Sequence, residues 1–428
     1  MVIHVVRPGD SVYAIALEYG VPMSQVVLDN GLEQSGRLVA GQALVIRFPM
    51  LIHTVRPGET ASSIARAYGL TLRQLWRKNP ILGGASDVYP GQTLVIDYKE
   101  GPKQPITVNS YAYPFIDKDL LRGVVPSLTW LAPFTYGFGP MGGLVELEDQ
   151  DLIAMARAGG AAPLMHLSTL TPEGNFSNEL AHIALTDPSV QARLIDSVVK
   201  ELERKGYRGL DVDFEYVYPE DAEAYAAFLA TLNERLSPLG YPVIAALAPK
   251  ISADQRGALY EGHDFAAIGA AADRVLLMTY EWGYTYGPPM AVAPLPNVRQ
   301  VVEYALTEIP AGKIWLGVPL YGYDWTLPFV QGESRAQSIS PQEAVARALR
   351  YGVEIQYDQR AQAPWYRYTD EGGAVHEVWF EDARSIQAKL ALVPEYGLDG
   401  VGYWNLMRPF PQNWAVLDSL YEIREIRT

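Results

Sequence analysis

The chain has 428 residues, a formal net charge of −15, no cysteine and 11% aromatic residues. That length allows one large domain with one or two small ones, and the missing cysteines exclude disulfides, thiolate metal sites and a cysteine nucleophile. Residues 1–98 are nearly neutral, with 8 Lys+Arg against 7 Asp+Glu, so the acidity lies in the remainder and argues against a nucleic-acid ligand, whose phosphates need a basic surface.

No apolar run approaches the ~20 residues that span a membrane. Residues 1–6 are apolar but meet Arg7-Pro8-Gly9 at once, so no secretory signal is expected. The first hundred residues then repeat: His4-Val5-Val6-Arg7-Pro8-Gly9-Asp10-Ser11 returns as His53-Thr54-Val55-Arg56-Pro57-Gly58-Glu59-Thr60, an offset of 49. Ile15/Ile64, Tyr19/Tyr68, Asn30/Asn79 and Gly41/Gly91 continue the match. Each unit reads strand, turn, two short helices, glycine turn, strand. Two copies predict beads, since a solenoid needs at least three.

The unit resembles the LysM module in its Pro-Gly-Asp/Glu-Ser/Thr turn, its Asn before the second turn and its closing Gly-Gln-x-Leu-x-Ile strand. The resemblance implies two βααβ modules, residues 1–48 and 50–98, that bind N-acetylglucosamine-containing glycans between two loops. Those loops would be 9–12 with 30–32, and 58–61 with 79–81. The glycan-binding candidates are Gly9, Asp10, Ser11 and Asn30, and Gly58, Glu59, Thr60 and Asn79.

Residues 99–105 read as a polar linker. Beyond them eight apolar strand-like runs alternate with helical ones: 106–113, 128–136, 163–168, 209–215, 242–248, 274–280, 314–321 and 398–404. That pattern predicts an α/β fold, a (β/α)8 barrel over 106–428. A small insertion, roughly 326–377, is expected between the last two runs, with an antiparallel sheet at its end.

The fourth run, Gly209-Leu210-Asp211-Val212-Asp213-Phe214-Glu215-Tyr216, carries the chemistry. On an extended strand its three carboxylates share one face, roughly 6–7 Å apart, while Leu210, Val212, Phe214 and Tyr216 share the other. Buried acids at that spacing repel, so one holds its proton more tightly than normal, as a general acid near neutral pH requires. An exposed edge strand or a cation site would also account for three alternating acids. The flanks lower both alternatives: an amphipathic stretch, 190–205, precedes the strand and a helical run, 219–236, follows it.

Other motifs are weaker. Gly137-Phe138-Gly139-Pro140-Met141-Gly142 matches a dinucleotide fingerprint, but Pro140 interrupts the loop and no ribose-binding acid follows. The six histidines lack zincin spacing, and turn or core roles are expected for them. No Gly-x-Ser-x-Gly elbow is present. No metal and no cofactor are expected. Aromatic residues crowd the ends of the late strands, at Tyr280, Trp282, Tyr321, Tyr323, Trp325, Tyr403 and Trp404, where barrel active sites lie and sugar rings stack.

Together these residues resemble glycoside hydrolase family 18, the chitinase family. Its fourth strand bears Asp-x-x-Asp-x-Asp-x-Glu, its sixth Met-x-Tyr-Asp, and its eighth ends in Trp. Asp211, Asp213, Glu215, Met278, Tyr280 and Trp404 match. Arg208 replaces the first Asp, Glu281 the Asp after Tyr280, and Leu167-Ser168-Thr169 the third strand's Ser-x-Gly-Gly. The resemblance implies Glu215, Asp213, Asp211 and Tyr280 as catalytic residues, with Trp404, Glu281, Met278 and Tyr323 binding substrate. With the paired modules, the chain is similar to the spore-cortex-lytic N-acetylglucosaminidases of endospore-forming bacteria. This implies a peptidoglycan partner, no membrane partner and a place in the spore coat or cortex. The alternatives are a chitinase acting on chitin and a non-catalytic glycan-binding coat protein.

Overall fold

The short apolar runs build a parallel barrel in the computed structural model, which describes residues 1–33, 36–171 and 174–426. Its strands are β1 (Gln104–Ala112), β2 (Trp130–Pro133), β3 (Met165–Ser168), β4 (Leu210–Asp213), β5 (Val243–Leu247), β6 (Arg274–Leu277), β7 (Ile314–Pro319) and β8 (Gly400–Trp404). They pair in the order β2-β1-β8-β7-β6-β5-β4-β3. The third strand is shared: Ala162–Pro163 pairs with β2, and β3 pairs with β4. Backbone bonds of 2.9 Å from Leu164 N–H to the Leu131 carbonyl and from Tyr136 N–H to the His166 carbonyl close the ring. The expected (β/α)8 barrel is present.

The amphipathic stretch before β4 forms the helix Pro188–Lys205. Asp187 caps it by accepting the N–H groups of Ser189 and Val190, and Gly206 ends it at φ 70°. Val190, Leu194, Ile195, Val198 and Leu202 recur at helical spacing and face the barrel.

Between β7 and β8 stands an antiparallel five-stranded sheet, Gly322–Leu327, Gln337–Ile339, Gln356–Asp358, Ala363–Thr369 and Val375–Trp379, with the helix Pro341–Tyr351. It starts at Gly322, earlier than the expected 326, and has two strands more than the pattern suggested. A β-carbon on Gly322 would lie 2.4 Å from the Trp379 carbonyl oxygen, so the chain turns into the insertion where only glycine fits. Tyr323 and Trp325 therefore belong to the insertion wall and not to the end of a barrel strand.

Each N-terminal unit pairs its first and last strands, Val2–Val5 with Ala43–Ile46 and Pro49–Thr54 with Thr93–Tyr98. The repeated residues have internal duties. Asp10 accepts the Arg7 N–H at 2.7 Å and bonds His4, and Glu59 does the same with Arg56 and His53. Ser11 and Thr60 cap the helices Val12–Tyr19 and Ala61–Ala67. Gly9 and Gly58 turn at φ 93° and 84°, a region that favours glycine.

Asn30 and Asn79 have structural duties at their loops. Both are buried, and each amide ties its helix to the closing strand. Asn30 bonds the Val26 and Val45 carbonyls and the Val45 N–H; Asn79 bonds those of Leu75 and Val95. With donors and acceptor spent, their side chains build the loop.

Both units also pack on the barrel. Ala43 and Val45 belong to the barrel's own hydrophobic cluster. Arg73 donates to the carbonyls of Pro126 (2.8 Å), Gly160 (2.6 Å) and Leu128, where loops enter the barrel floor. Asp418, on the helix Pro411–Leu420, pairs with Arg47 at 2.6 Å and Arg77 at 3.3 Å. The expected linker joins in: Glu100 pairs with Arg47 and Lys103, while Gln104 and Pro105 lie in β1 and pair with Tyr421–Ile423. Burial alone would raise the Asp418 carboxyl, but Arg47, Lys103 and Arg77 outweigh it and hold the group well below its usual range.

Breaking such a buried pair from one side typically costs 3 kcal/mol or more. Asp418→Asn should therefore lower unfolding free energy by about 3 kcal/mol at pH 7 in denaturant titrations. A depressed carboxyl gives its stability above its unfolded pKa, so the deficit should shrink only below about pH 4. Deleting residues 1–98 should destabilise the barrel itself, seen as a lower melting temperature.

Candidate active site

The pleat of β4 turns Asp211 and Asp213 into the barrel and Val212 outward among the helices. Parallel register with β3 sets His166 beside Asp211 and Ser168 beside Asp213. The regular strand stops at Asp213, and Glu215 stands in the turn that follows. Phe214 is buried with Val212, but Tyr216 departs from the expected apolar face: it turns at φ 57° and is exposed. Glu215 itself is partly buried.

The two aspartates are buried, at 0% and 6% exposure, and held from several strands. The Tyr111 hydroxyl, at the end of β1, donates to Asp211 at 2.7 Å. Nε2 of His166 lies 3.5 Å from an Asp213 oxygen and 3.9 Å from one of Asp211. Its Nδ1 is held at 2.6 Å by the Thr135 hydroxyl. Burial, with some repulsion from Asp213, pushes Asp211 up to about 6, although His166 and the Tyr111 bond pull the other way. One oxygen on each aspartate, Oδ1, is buried without a hydrogen-bond partner among the described residues. A buried acceptor left unpaired is costly, and such groups mark sites of use.

Burial raises Glu215 well above the usual carboxyl range, and the charges of Asp213 and Glu281 push it further. Burial also raises the Tyr280 phenol, helped by Asp213, Glu215 and Glu281, so it remains a hydrogen-bond donor at any working pH. Glu281, at φ 65°, accepts from Tyr323 at 3.0 and 3.2 Å and from Tyr321. These bonds join the insertion wall to the barrel rim.

Trp404, at the end of β8, packs its ring centroid 4.9 Å from Phe134, 5.6 Å from Tyr111 and 6.3 Å from Tyr113. Met278 is partly buried where β6 ends, its N–H bonded to the Leu247 carbonyl.

The structure thus gathers Asp211, Asp213, Glu215, Tyr280, Glu281, Tyr323 and Trp404. The glycan candidates of the N-terminal units lie on separate modules. Sequence reasoning missed Tyr111, Phe134 and Thr135, and gave His166 only a core or turn role. His166 is buried, as expected of a core residue, yet it faces both acids. Its register with Asp211 comes from parallel pairing across 45 residues, which no local pattern reports.

A carboxyl raised in the folded state binds a proton that the unfolded chain gives up near its ordinary value of about 4.3. Folding stability must therefore fall as pH rises from there toward the folded pKa. Glu215→Gln removes that loss, so the variant should melt higher than the parent at pH 8 and nearly level with it at pH 4. Paired thermal melts measure the difference.

Residues 169–408 match glycosyl hydrolases family 18, and residues 4–47 and 53–97 match the LysM domain. The cortical fragment-lytic enzyme of Bacillus subtilis is 42% identical over 429 residues, covering 99% of each chain. The crystal structure of the Bacillus cereus spore cortex-lytic enzyme SleL superposes with a TM-score of 0.84 at 40% identity, over 99% of this chain and 98% of that one. A chitinase from Chromobacterium violaceum superposes with a TM-score of 0.69 at 27% identity, over 73% of this chain and 98% of that one. The closed parallel barrel, the buried acids of β4 and these matches agree: the chain belongs to glycosyl hydrolase family 18 and is a glycoside hydrolase with two LysM domains.

Proposed function

We propose that the chain hydrolyses spore-cortex peptidoglycan after N-acetylglucosamine, by a retaining mechanism in which the substrate's own acetamido group is the nucleophile. The observation that carries this reading is the buried, unpartnered oxygen of Asp213 close to a Glu215 that keeps its proton. Family 18 hydrolysis is substrate-assisted rather than dependent on a second nucleophilic carboxylate. Glu215 protonates the glycosidic oxygen and later takes a proton from the attacking water. The acetamido carbonyl oxygen attacks its own anomeric carbon. Asp213 accepts the acetamido N–H and stabilises the oxazolinium ion, with Asp211 and Tyr111 behind it. Tyr280 donates to the acetamido oxygen, and Trp404 floors the sugar.

The full-length likeness to cortex-lytic enzymes supports cortex over chitin as the substrate, and a site in the spore. The mechanism also selects the bond. The sugar before the cut must carry a free acetamido group, which muramic acid cyclised to a lactam lacks. Mass spectrometry of borohydride-reduced digests should show N-acetylglucosamine at the new reducing ends; reduced muramic species as main products would refute the assignment. Better turnover of chitin oligomers than of cortical fragments would assign the enzyme to chitin instead. Glu215→Gln should keep its fold and glycan affinity and lose at least ~10²-fold in kcat.

The LysM domains retain the enzyme on the polymer through added effective concentration. In the first, a β-carbon at Gly31 would lie 2.0 Å from Gln342, so its second loop faces the catalytic domain. In the second, Gly58 has open space around it and Ile81 is 57% exposed. Ile81→Asp should weaken pull-down on insoluble cortex and leave hydrolysis of short soluble fragments unchanged.

A further inference from the structure

The loop after β5 holds the turn that carries Glu215 at both of its ends. His263 is fully buried. Its Nδ1 accepts the backbone N–H of Ala248, just past β5, at 3.0 Å. A backbone N–H can only donate, so that nitrogen is bare and the ring proton sits on Nε2, 3.0 Å from the Phe214 carbonyl oxygen. Burial lowers the His263 pKa and favours the neutral ring this pattern needs. The charged groups near it are Asp213 and Lys250, and the Lys250 ammonium donates to the His263 carbonyl at 2.9 Å. The Tyr225 ring packs 5.7 Å away.

Gly262 serves the other end. A β-carbon there would stand 2.3 Å from the Val217 carbonyl oxygen and 2.6 Å from the Val217 side chain. Only glycine allows this approach. Between the two holds lie Glu215 and Tyr216, the latter in a left-handed conformation that a tyrosine rarely adopts and that persists only where surroundings enforce it.

We propose that Gly262 and His263 are positioning residues for Glu215, clamping its turn through the Phe214 carbonyl on one side and the Val217 backbone on the other. The inference rests on Glu215 as the general acid. The clamp fixes how far the carboxyl stands from the groups that face it: Asp213 at the end of β4, Tyr280 and Glu281 from the loop after β6, and Tyr216 beside it. A catalytic group displaced by as little as about 1 Å can lose 10²-fold in rate. A loosened turn also lets Glu215 move toward water, so its pKa falls and the alkaline limb of the rate profile moves to lower pH.

The test uses the full-length enzyme and a soluble chromogenic N-acetylglucosaminide. His263→Leu keeps bulk and loses both bonds; His263→Gln keeps an amide donor for the Phe214 carbonyl. Expected for His263→Leu are a kcat at least about tenfold lower, a KM within about twofold of the parent and an alkaline limb shifted to lower pH, with part of each recovered in His263→Gln. A lowered melting temperature with kcat and alkaline limb unchanged would overturn the clamp and leave His263 a packing residue. If His263→Leu is not obtained folded, Gly262→Ala is read by the same two outcomes. Glu215→Gln, run alongside, separates the levels. Near-parental turnover there would overturn the assignment of the acid, whereas an inactive Glu215→Gln with unaltered His263 variants would overturn the clamp alone.

Discussion

Placing negative charge inside a barrel is the constraint on which the rest of the structure turns. A strand's side chains alternate, so once Val212 and Phe214 are committed to the layer beneath the helices, Asp211 and Asp213 have nowhere to point but inward. There, solvation is lost and each acid needs a donor or a proton. Tyr111 and His166 partly satisfy Asp211 and Asp213, and one buried oxygen of each has no partner among the described residues. Glu215, in the turn that follows, is raised well above the usual carboxyl range by burial first and then by the charges of Asp213 and Glu281. Asp211 and Glu215 both hold their protons more tightly than free carboxyls, chiefly because burial strips their water.

Around those acids the wall is aromatic, and it is assembled from distant parts of the chain. Phe134 comes from the second strand's end, Tyr111 and Tyr113 from the first, Trp404 from the eighth, and Tyr321 and Tyr323 from the start of the insertion. Aromatic faces exclude water and offer stacking surface, while their hydroxyls reach the carboxylates. The insertion is tied to this wall through Glu281, whose carboxylate accepts from Tyr321 and Tyr323 and couples the cleft wall to the barrel rim.

The same economy of charge governs the other end of the molecule. Arg47, Arg73 and Arg77 leave the LysM domains and enter the catalytic domain, where they meet Asp418, Glu422 and the open carbonyls of loops entering the floor. Planar guanidinium groups suit this, since they donate in several directions at once. The modules thus present their loops from a fixed platform. In the first of them the second loop faces the catalytic domain at Gly31, whereas in the second Gly58 has open space and Ile81 is exposed, although Gly84 packs against the Arg122 carbonyl.

The sequence by itself determined the elements and the acids. Period-two runs and helical stretches announced the barrel, because burial on one face writes a repeat into the chain. The 49-residue offset announced two similar units, and the alternation in 209–216 announced a carboxylate face. What it could not determine is which side chains meet. His166 opposes Asp211 through parallel register, and Tyr111 reaches Asp211 across 100 residues. Asn30 and Asn79 occupy the loop positions of a glycan site, yet their amides are consumed by backbone groups 15 or 16 residues away. Two copies of the LysM unit read as beads because a solenoid needs at least three, and only the tertiary structure shows Arg47, Arg73 and Arg77 reaching the catalytic domain. Local patterns record what a residue must hide from water, but hydrogen bonds and ion pairs are chosen by whatever the fold brings alongside, and only the folded chain fixes that choice.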